Sequence, residues 1–191
     1  MKERYEIKLA GVGGQGIVLA GLVLAEAAVR DGKNVLQTQS YGAENRGGAS
    51  VAEIIIAEND IAYPKVLRAD LLLAMSQDAY VKNVHDLAED GTLIVDSSID
   101  RADEIENGYS LPIFSLAKTA TGSGASATMV ALGIIAGLTK VLTPEAILKA
   151  VEVRTPRGSE DRNRAAVLAG LQKGVSYAKE RGTVGKGEQT R

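Results

Sequence analysis

The sequence predicts an α/β domain: a three-layer, mostly parallel sheet with an inserted antiparallel hairpin and a helical C-terminal third. Three observations carry that expectation. A glycine-rich turn, Gly11-Val12-Gly13-Gly14-Gln15-Gly16, separates an apolar run, Tyr5 to Ala10, from a long helical pattern, Gly14 to Arg30. Two more apolar runs, Ala69 to Met75 and Thr92 to Asp96, have the unbroken character of strands buried on both faces. Beyond residue 125 the pattern becomes helical, with Thr143-Pro144-Glu145 as a capping residue followed by proline at the first helical position. A strand, a glycine turn, a helix and a second strand in succession make the opening Rossmann-like.

Tyr5 to Ala10 reads as the first strand, and in the helix that follows Ile17, Gly21, Leu24 and Ala28 share one face. Gly32 stops that helix, and Asn34 to Thr38 returns as a second strand expected to pair in parallel with the first. Ser50 to Ala57 is rich in Ile and Val, and Asn59-Asp60 suggests a tight turn into Ile61-Ala62-Tyr63, a hairpin that would make the sheet mixed. Ser76 is placed to cap a helix over Gln77 to Ala88, which Gly91 would end. Tyr109 to Phe114 reads as a further strand, with Asp100 to Asn107 as surface. Helices are then expected over Ala125 to Lys140, Glu145 to Val151, and Ser159 to about Arg181. Gly133 and Gly137, four apart on an apolar helix, permit another backbone to approach closely. Residues 1–181 thus read as one domain and 182–191 as a flexible, Gly-rich and charged tail.

At 191 residues with 45% hydrophobic and 24% charged, the chain has enough apolar side chains for one full core. A formal charge of -2 argues against a nucleic-acid binder, which would carry a basic excess. No cysteine is present, so the chain holds no disulfide and no thiolate-ligated zinc or iron–sulfur cluster. The N-terminus offers no signal-peptide pattern and Ala125 to Leu142 falls short of a membrane span, so a cytoplasmic protein is expected.

Gly11-x-Gly13-x-x-Gly16 has the spacing and context of a dinucleotide fingerprint, but the second strand ends in Gln37-Thr38-Gln39, with no acid to hold a ribose hydroxyl. A nicotinamide cofactor is disfavoured, and so is ATP, because no Gly-Lys-Ser/Thr follows. The turn either presents helix amides to an anion or serves close helix–strand packing. The loop Ser40-Tyr41-Gly42-Ala43-Glu44-Asn45-Arg46-Gly47-Gly48 should lie at the same carboxyl edge, where Arg46 can clamp a phosphate or carboxylate or pair with Glu44. His85 has no second metal ligand or base partner, and Gln77-Asp78 fit a helix start. Arg154, Arg157, Arg162 and Arg164 form either an anion-binding patch or an exposed rim. No triad, carboxylate pair or metal set emerges.

Three motifs in order, Gly11 to Gly16, Ser40 to Ser50, and Leu73-Ala74-Met75-Ser76-Gln77-Asp78-Ala79-Tyr80, together resemble the gamma subunit of 2-oxoacid:ferredoxin oxidoreductases, and the likeness runs to about Ala178. The Tyr41 to Gly48 loop is similar to the 2-oxoglutarate and branched-chain members more than to the pyruvate members; Thr128 stands where an Asn is expected. The resemblance implies a subunit, inactive alone, of a complex that oxidatively decarboxylates a 2-oxoacid to its acyl-CoA and reduces ferredoxin. It implies alpha, beta and delta partner subunits that hold thiamine diphosphate, Mg2+ and the iron–sulfur clusters. Coenzyme A is implied near this chain. On that resemblance Gly11, Gly13, Gly14, Gln15 and Gly16, with Ser40, Tyr41, Gly42, Glu44, Asn45, Arg46, Gly47 and Gly48, are the candidate cofactor-facing residues. The other readings are a non-catalytic assembly scaffold of that complex, a branched-chain 2-oxoacid, pyruvate or indolepyruvate member of the same family, or a free-standing nucleotide-binding protein.

Overall fold

A computed structural model describes residues 2–41, 48–100 and 107–184. Its six strands are β1 (Arg4–Val12), β2 (Asn34–Tyr41), β3 (Ala49–Ala57), β4 (Ala69–Ala74), β5 (Leu87–Asp96) and β6 (Gly108–Leu111). Its six α-helices are α1 (Ile17–Arg30), α2 (Gln77–Asn83), α3 (Ile113–Thr121), α4 (Ala127–Thr139), α5 (Pro144–Arg154) and α6 (Glu160–Val184). The strands form one mixed sheet in the order β2-β3-β1-β4-β5-β6. Alternation along the strands splits the interior. Ile7, Leu9, Ile54, Leu71, Leu73 and Ile94 face the core built by α1 and α3 to α6, whereas Ala10, Leu72, Ala74, Leu93 and Val95 face α2.

The expected mixed, three-layer sheet is present, with corrections inside it. β2 does not pair with β1, because β3 lies between them, antiparallel to both. The hairpin is therefore β2–β3, and Ile61 to Tyr63 is not a strand. Side chains take over from a ladder there: Arg4 donates to the Tyr63 and Lys65 carbonyls at 3.0 and 2.9 Å, and Glu6 accepts from the Leu67 amide at 2.8 Å. Gly91 ends no helix. It lies inside β5 near a register shift against β4, where an added Cβ would meet the Ala69 carbonyl at 2.9 Å. The strand expected over Tyr109 to Phe114 stops at Leu111, and Pro112 opens α3. α6 continues to Val184, three residues into the segment expected to be a tail.

α4 is largely apolar and buried from Ala127 to Gly137, as a core helix must be. Its closest neighbour is α6, and glycines on both helices make the contact. A Cβ on Gly133 would meet the Val167 carbonyl oxygen at 2.0 Å, and one on Gly170 the Val130 carbonyl oxygen at 1.9 Å. Contacts advance together, from Val130 beside Gly170 to Gly137 beside Gly174, so the two helices run parallel. α5 carries the chain back between them. No single helix among the described residues is long and apolar enough to cross a membrane.

Gly133→Ala should cost at least about 3 kcal/mol, the upper range for overpacking, because backbone has to part rather than a side chain rotate. Gly124→Ala, whose new Cβ would find only Phe114 at 3.9 Å, should change stability by less than about 0.5 kcal/mol. Urea midpoints of the two variants check this.

α5 is tied to α1 by Arg154, whose guanidinium donates to Glu26 at 2.7 and 3.1 Å, with Arg30 at 2.9 Å. Arg154 and then Arg30 hold the Glu26 carboxyl below its ordinary value against the effect of desolvation. The bridge stabilises fully above the ordinary Glu range, and its contribution is lost as pH falls through that range and then through the lowered folded-state value. Glu26→Gln should remove about 0.3–1 kcal/mol of that acid-sensitive stability, read as a shallower fall in thermal midpoint between pH 6 and pH 3.

Candidate functional site

β1 and β4 are parallel neighbours whose helices leave to opposite faces of the sheet, α1 to one and α2 to the other. Open α/β sheets hold ligands in the crevice beyond the carboxyl ends of such a pair. Here that crevice is bridged from within. Gln15 Oε1 accepts from the Val12 amide at 2.8 Å, and Gln15 Nε2 donates to the Met75 carbonyl at 3.0 Å. One side chain thus ties the end of β1 to the end of β4. The Thr128 hydroxyl, on the first turn of α4, donates to the Gln15 carbonyl from the other side.

The glycines of the turn have separate tasks. Gly11 makes room for this bridge, since a Cβ there would meet Gln15 Oε1 at 2.4 Å. Gly16, with φ 78°, is the left-handed residue from which α1 starts, and Gly14, with φ 92°, has open space around it. The Gly13 amide donates to the Gly48 carbonyl at 2.9 Å, which joins the turn to the end of the hairpin loop. The close-packing reading of the turn therefore applies to Gly11, whereas Gly13 and Gly14 are exposed.

Of the loop residues, Ser40 and Tyr41 are exposed at the end of β2 and pair with Val51 and Ser50. Gly48 is buried beside Gly13. Gly42, Glu44, Asn45, Arg46 and Gly47 lie outside the described residues. A dinucleotide geometry is further weakened by β3, because the end of β2 sits one strand farther from the glycine turn than in a sheet where those strands are adjacent. His85 is exposed, and among the described residues no three His, Asp or Glu side chains gather as a metal site.

A cleft of about 380 Å³ opens on the α1 side of the turn, lined by Gln15, Gly16, Ser126, Thr128, Arg157 and Arg162 among others. Sequence reasoning grouped four arginines here without separating them. Arg154 is engaged by Glu26 and Arg164 by Glu152, whereas Arg157 and Arg162 line the cleft. Ser126 carried no signal in the sequence, because its neighbours in the cleft come from three distant segments. The whole edge can hold and orient a ligand or partner; it does not bring a nucleophile to a base among the described residues.

The family described as pyruvate ferredoxin/flavodoxin oxidoreductase matches residues 6–173. The chain is 40% identical to the 2-oxoglutarate synthase subunit KorC of Methanocaldococcus jannaschii, covering 94% of this chain and 97% of that one. A crystal structure of the keto/oxoacid ferredoxin oxidoreductase gamma subunit from Geobacter sulfurreducens superposes with a TM-score of 0.78 at 40% identity, covering 91% of this chain and 97% of that one. The 2-oxoglutarate:ferredoxin oxidoreductase of Magnetococcus marinus, solved with 2-oxoglutarate, coenzyme A and succinyl-CoA bound, gives a TM-score of 0.80 at 26% identity, over 94% of this chain and 32% of that longer one.

Gln15→Glu keeps the acceptor for Val12 and removes the donor to Met75, leaving two oxygens facing each other. It should cost about 1–2 kcal/mol in urea unfolding, the scale of a partly buried hydrogen bond lost to an unpaired carbonyl. Thr128→Ser should retain the contact to the Gln15 carbonyl and Thr128→Val should lose it, with the valine variant the less stable of the two.

Proposed function

The chain belongs to the pyruvate ferredoxin/flavodoxin oxidoreductase family, and we propose that it acts there as the gamma subunit of a 2-oxoglutarate:ferredoxin oxidoreductase. Such a complex oxidatively decarboxylates 2-oxoglutarate to its acyl-CoA and passes the electrons to ferredoxin. The observation that carries this reading is near-complete mutual coverage with a relative named for 2-oxoglutarate. Its fit to the Magnetococcus marinus enzyme, whose structure holds 2-oxoglutarate and coenzyme A, supports the same substrate.

On the partner subunits, alpha, beta and delta, thiamine diphosphate with Mg2+ supplies the decarboxylation chemistry and iron–sulfur clusters carry the electrons. This chain has no cysteine with which to bind a cluster. Its own contribution is positional. The exposed amide backbone of Gly13 and Gly14 lets a ligand or a neighbouring subunit come close, Gly48 is tied to that turn, and Arg46, two residues before Gly48 in the sequence, is the residue we assign to an anionic group of coenzyme A.

Co-expression with the thiamine-dependent alpha and beta chains and the ferredoxin-like chain tests the reading. The assembled complex should reduce ferredoxin in the presence of 2-oxoglutarate and coenzyme A, with kcat/KM at least about tenfold above that for pyruvate or a branched-chain 2-oxoacid. This chain alone should do nothing. Arg46→Ala should raise the KM for coenzyme A while leaving the complex intact; loss of co-purification instead would mark the loop as an assembly contact, and a preference for another 2-oxoacid would overturn the substrate.

A further inference from the structure

α1 departs from the pattern in which a surface helix turns polar residues to water. Of its 14 residues only Glu26 and Arg30 are polar, and both belong to the bridge with Arg154 of α5. At about 100° per residue, Gly21 and Ala28 face the sheet while Ala20, Val23 and Ala27 face the core. The remaining flank carries Val18, Leu22, Ala25 and Val29, spaced four, three and four residues apart, with Leu22 36% and Val29 59% exposed. That spacing is the seam along which two helices pack side by side, and among the described residues it lies open.

The sheet beneath that flank is undefended in the same way. Gly21 sets α1 above the β2–β3 pair, where an added Cβ would meet Ala52 Cβ at 2.8 Å and Gln37 Cγ at 3.7 Å. β2 is the outermost strand on this side. It pairs with β3 over eight residues in unbroken register, and Asn34-Val35-Leu36-Gln37-Thr38-Gln39-Ser40-Tyr41 contains no proline and no charged residue. Prolines, lysines and bulges are the devices by which sheets keep an outer strand from pairing. The outermost strand on the far side, β6, is only four residues long, and shortness serves the same end there.

We infer that α1 and β2 form one self-complementary interface that joins two copies of this chain about a two-fold axis, β2 antiparallel to β2 and α1 antiparallel to α1. With strands about 4.8 Å apart, a helix above the β2–β3 pair stands about 5 Å from such an axis, so the two α1 helices fall about 10 Å apart, a normal packing distance. An axis through the middle of the stripe sets Leu22 against Ala25 and Val18 against Val29, so large meets small and the patch packs on itself. Gln37, at the middle of β2, lies under Gly21, less than one helical turn from the middle of the stripe; one axis therefore serves both layers. Eight paired residues span about 27 Å, and with α1 about 10 Å above them the strip is roughly 500–600 Å² in plan; side-chain relief brings it to the order of the ~800 Å² per partner of a standard stable interface. The inference does not rest on the gamma-subunit reading, and within such a complex the same contact would link two assemblies.

Sedimentation equilibrium of the full chain across the micromolar range tests it, without partners or turnover. The expected species has twice the 20.0 kDa chain mass. Leu22→Glu should weaken the dimer at least about tenfold by carrying an unpaired charge into an apolar contact, and adding Ala25→Lys should recover most of that loss, because the two positions face each other twice across the axis. Thr38→Lys together with Ser40→Lys should also weaken it at least about tenfold. Leu67→Glu, at a residue 64% exposed beside Glu6 on the α2 face, should leave it unchanged. A chain that stays monomeric with a native circular dichroism spectrum overturns the inference, and so does a dimer that neither the helix nor the strand variants weaken. A loss on Leu22→Glu that Ala25→Lys fails to restore overturns the two-fold pairing. If residues 34–41 gain protection from hydrogen exchange only when a partner subunit binds, that subunit is the occupant and the second copy is overturned. A complex that failed to act on any 2-oxoacid would overturn the gamma-subunit reading and leave this result standing.

Discussion

The structure depends on the contact between α4 and α6, where carbonyl groups of one helix lie where side chains of the other would be. Gly133 and Gly170 face the partner backbone so closely that no Cβ fits. Because the two helices run parallel, their macrodipoles lie side by side in the less favourable sense. Burial of α4 over its whole circumference offsets this, at roughly 25 cal/mol per Å² of apolar surface removed from water. The parallel arrangement also has a geometric result. Both N-termini emerge at the same end of the molecule, and the Thr128 contact to Gln15 brings that end against the start of α1.

The glycine turn is best understood against that framework. In a dinucleotide-binding sheet the turn leaves the crevice between strands open to a pyrophosphate. Here Gln15 bridges the crevice with two hydrogen bonds, and Gly11 is small because Gln15 folds over it. The open cleft beside the turn lies instead on the α1 side, lined by Gln15, Gly16, Thr128, Arg157 and Arg162 among others.

Much of this was readable in the sequence where a residue's task is local. Ser76 and Thr143 cap the helices they precede, Pro144 stands at a first helical position, and Gly133 with Gly137 mark a close helix contact. What depended on tertiary choice was not readable. The Ile-rich strand over residues 50–57 was evident, yet its partners were not, since any free strand edge satisfies the same alternation. Tyr109 to Phe114 has strand propensity throughout, and only Pro112 marks the point where the chain turns into α3. Gly91 reads as a helix stop and serves as a close-approach point in a strand. Among the arginines, nothing in the sequence says that Glu26 and Glu152 engage two of them and leave the other two to the cleft.

The place of β3 between β1 and β2 has one more consequence. It pushes β2 to the rim of the sheet, where one row of main-chain amides and carbonyls faces outward with no strand beside it among the described residues. A rim of that kind is an open template onto which another extended chain can add. Gln37, Thr38, Gln39 and Ser40 hold it in water-compatible form, and the residues that would make it adhesive, Ile54 to Ile56, are one strand further in and buried. The insertion that displaced the second strand from the glycine turn thus also moved the greasiest strand of the pair away from the border of the sheet.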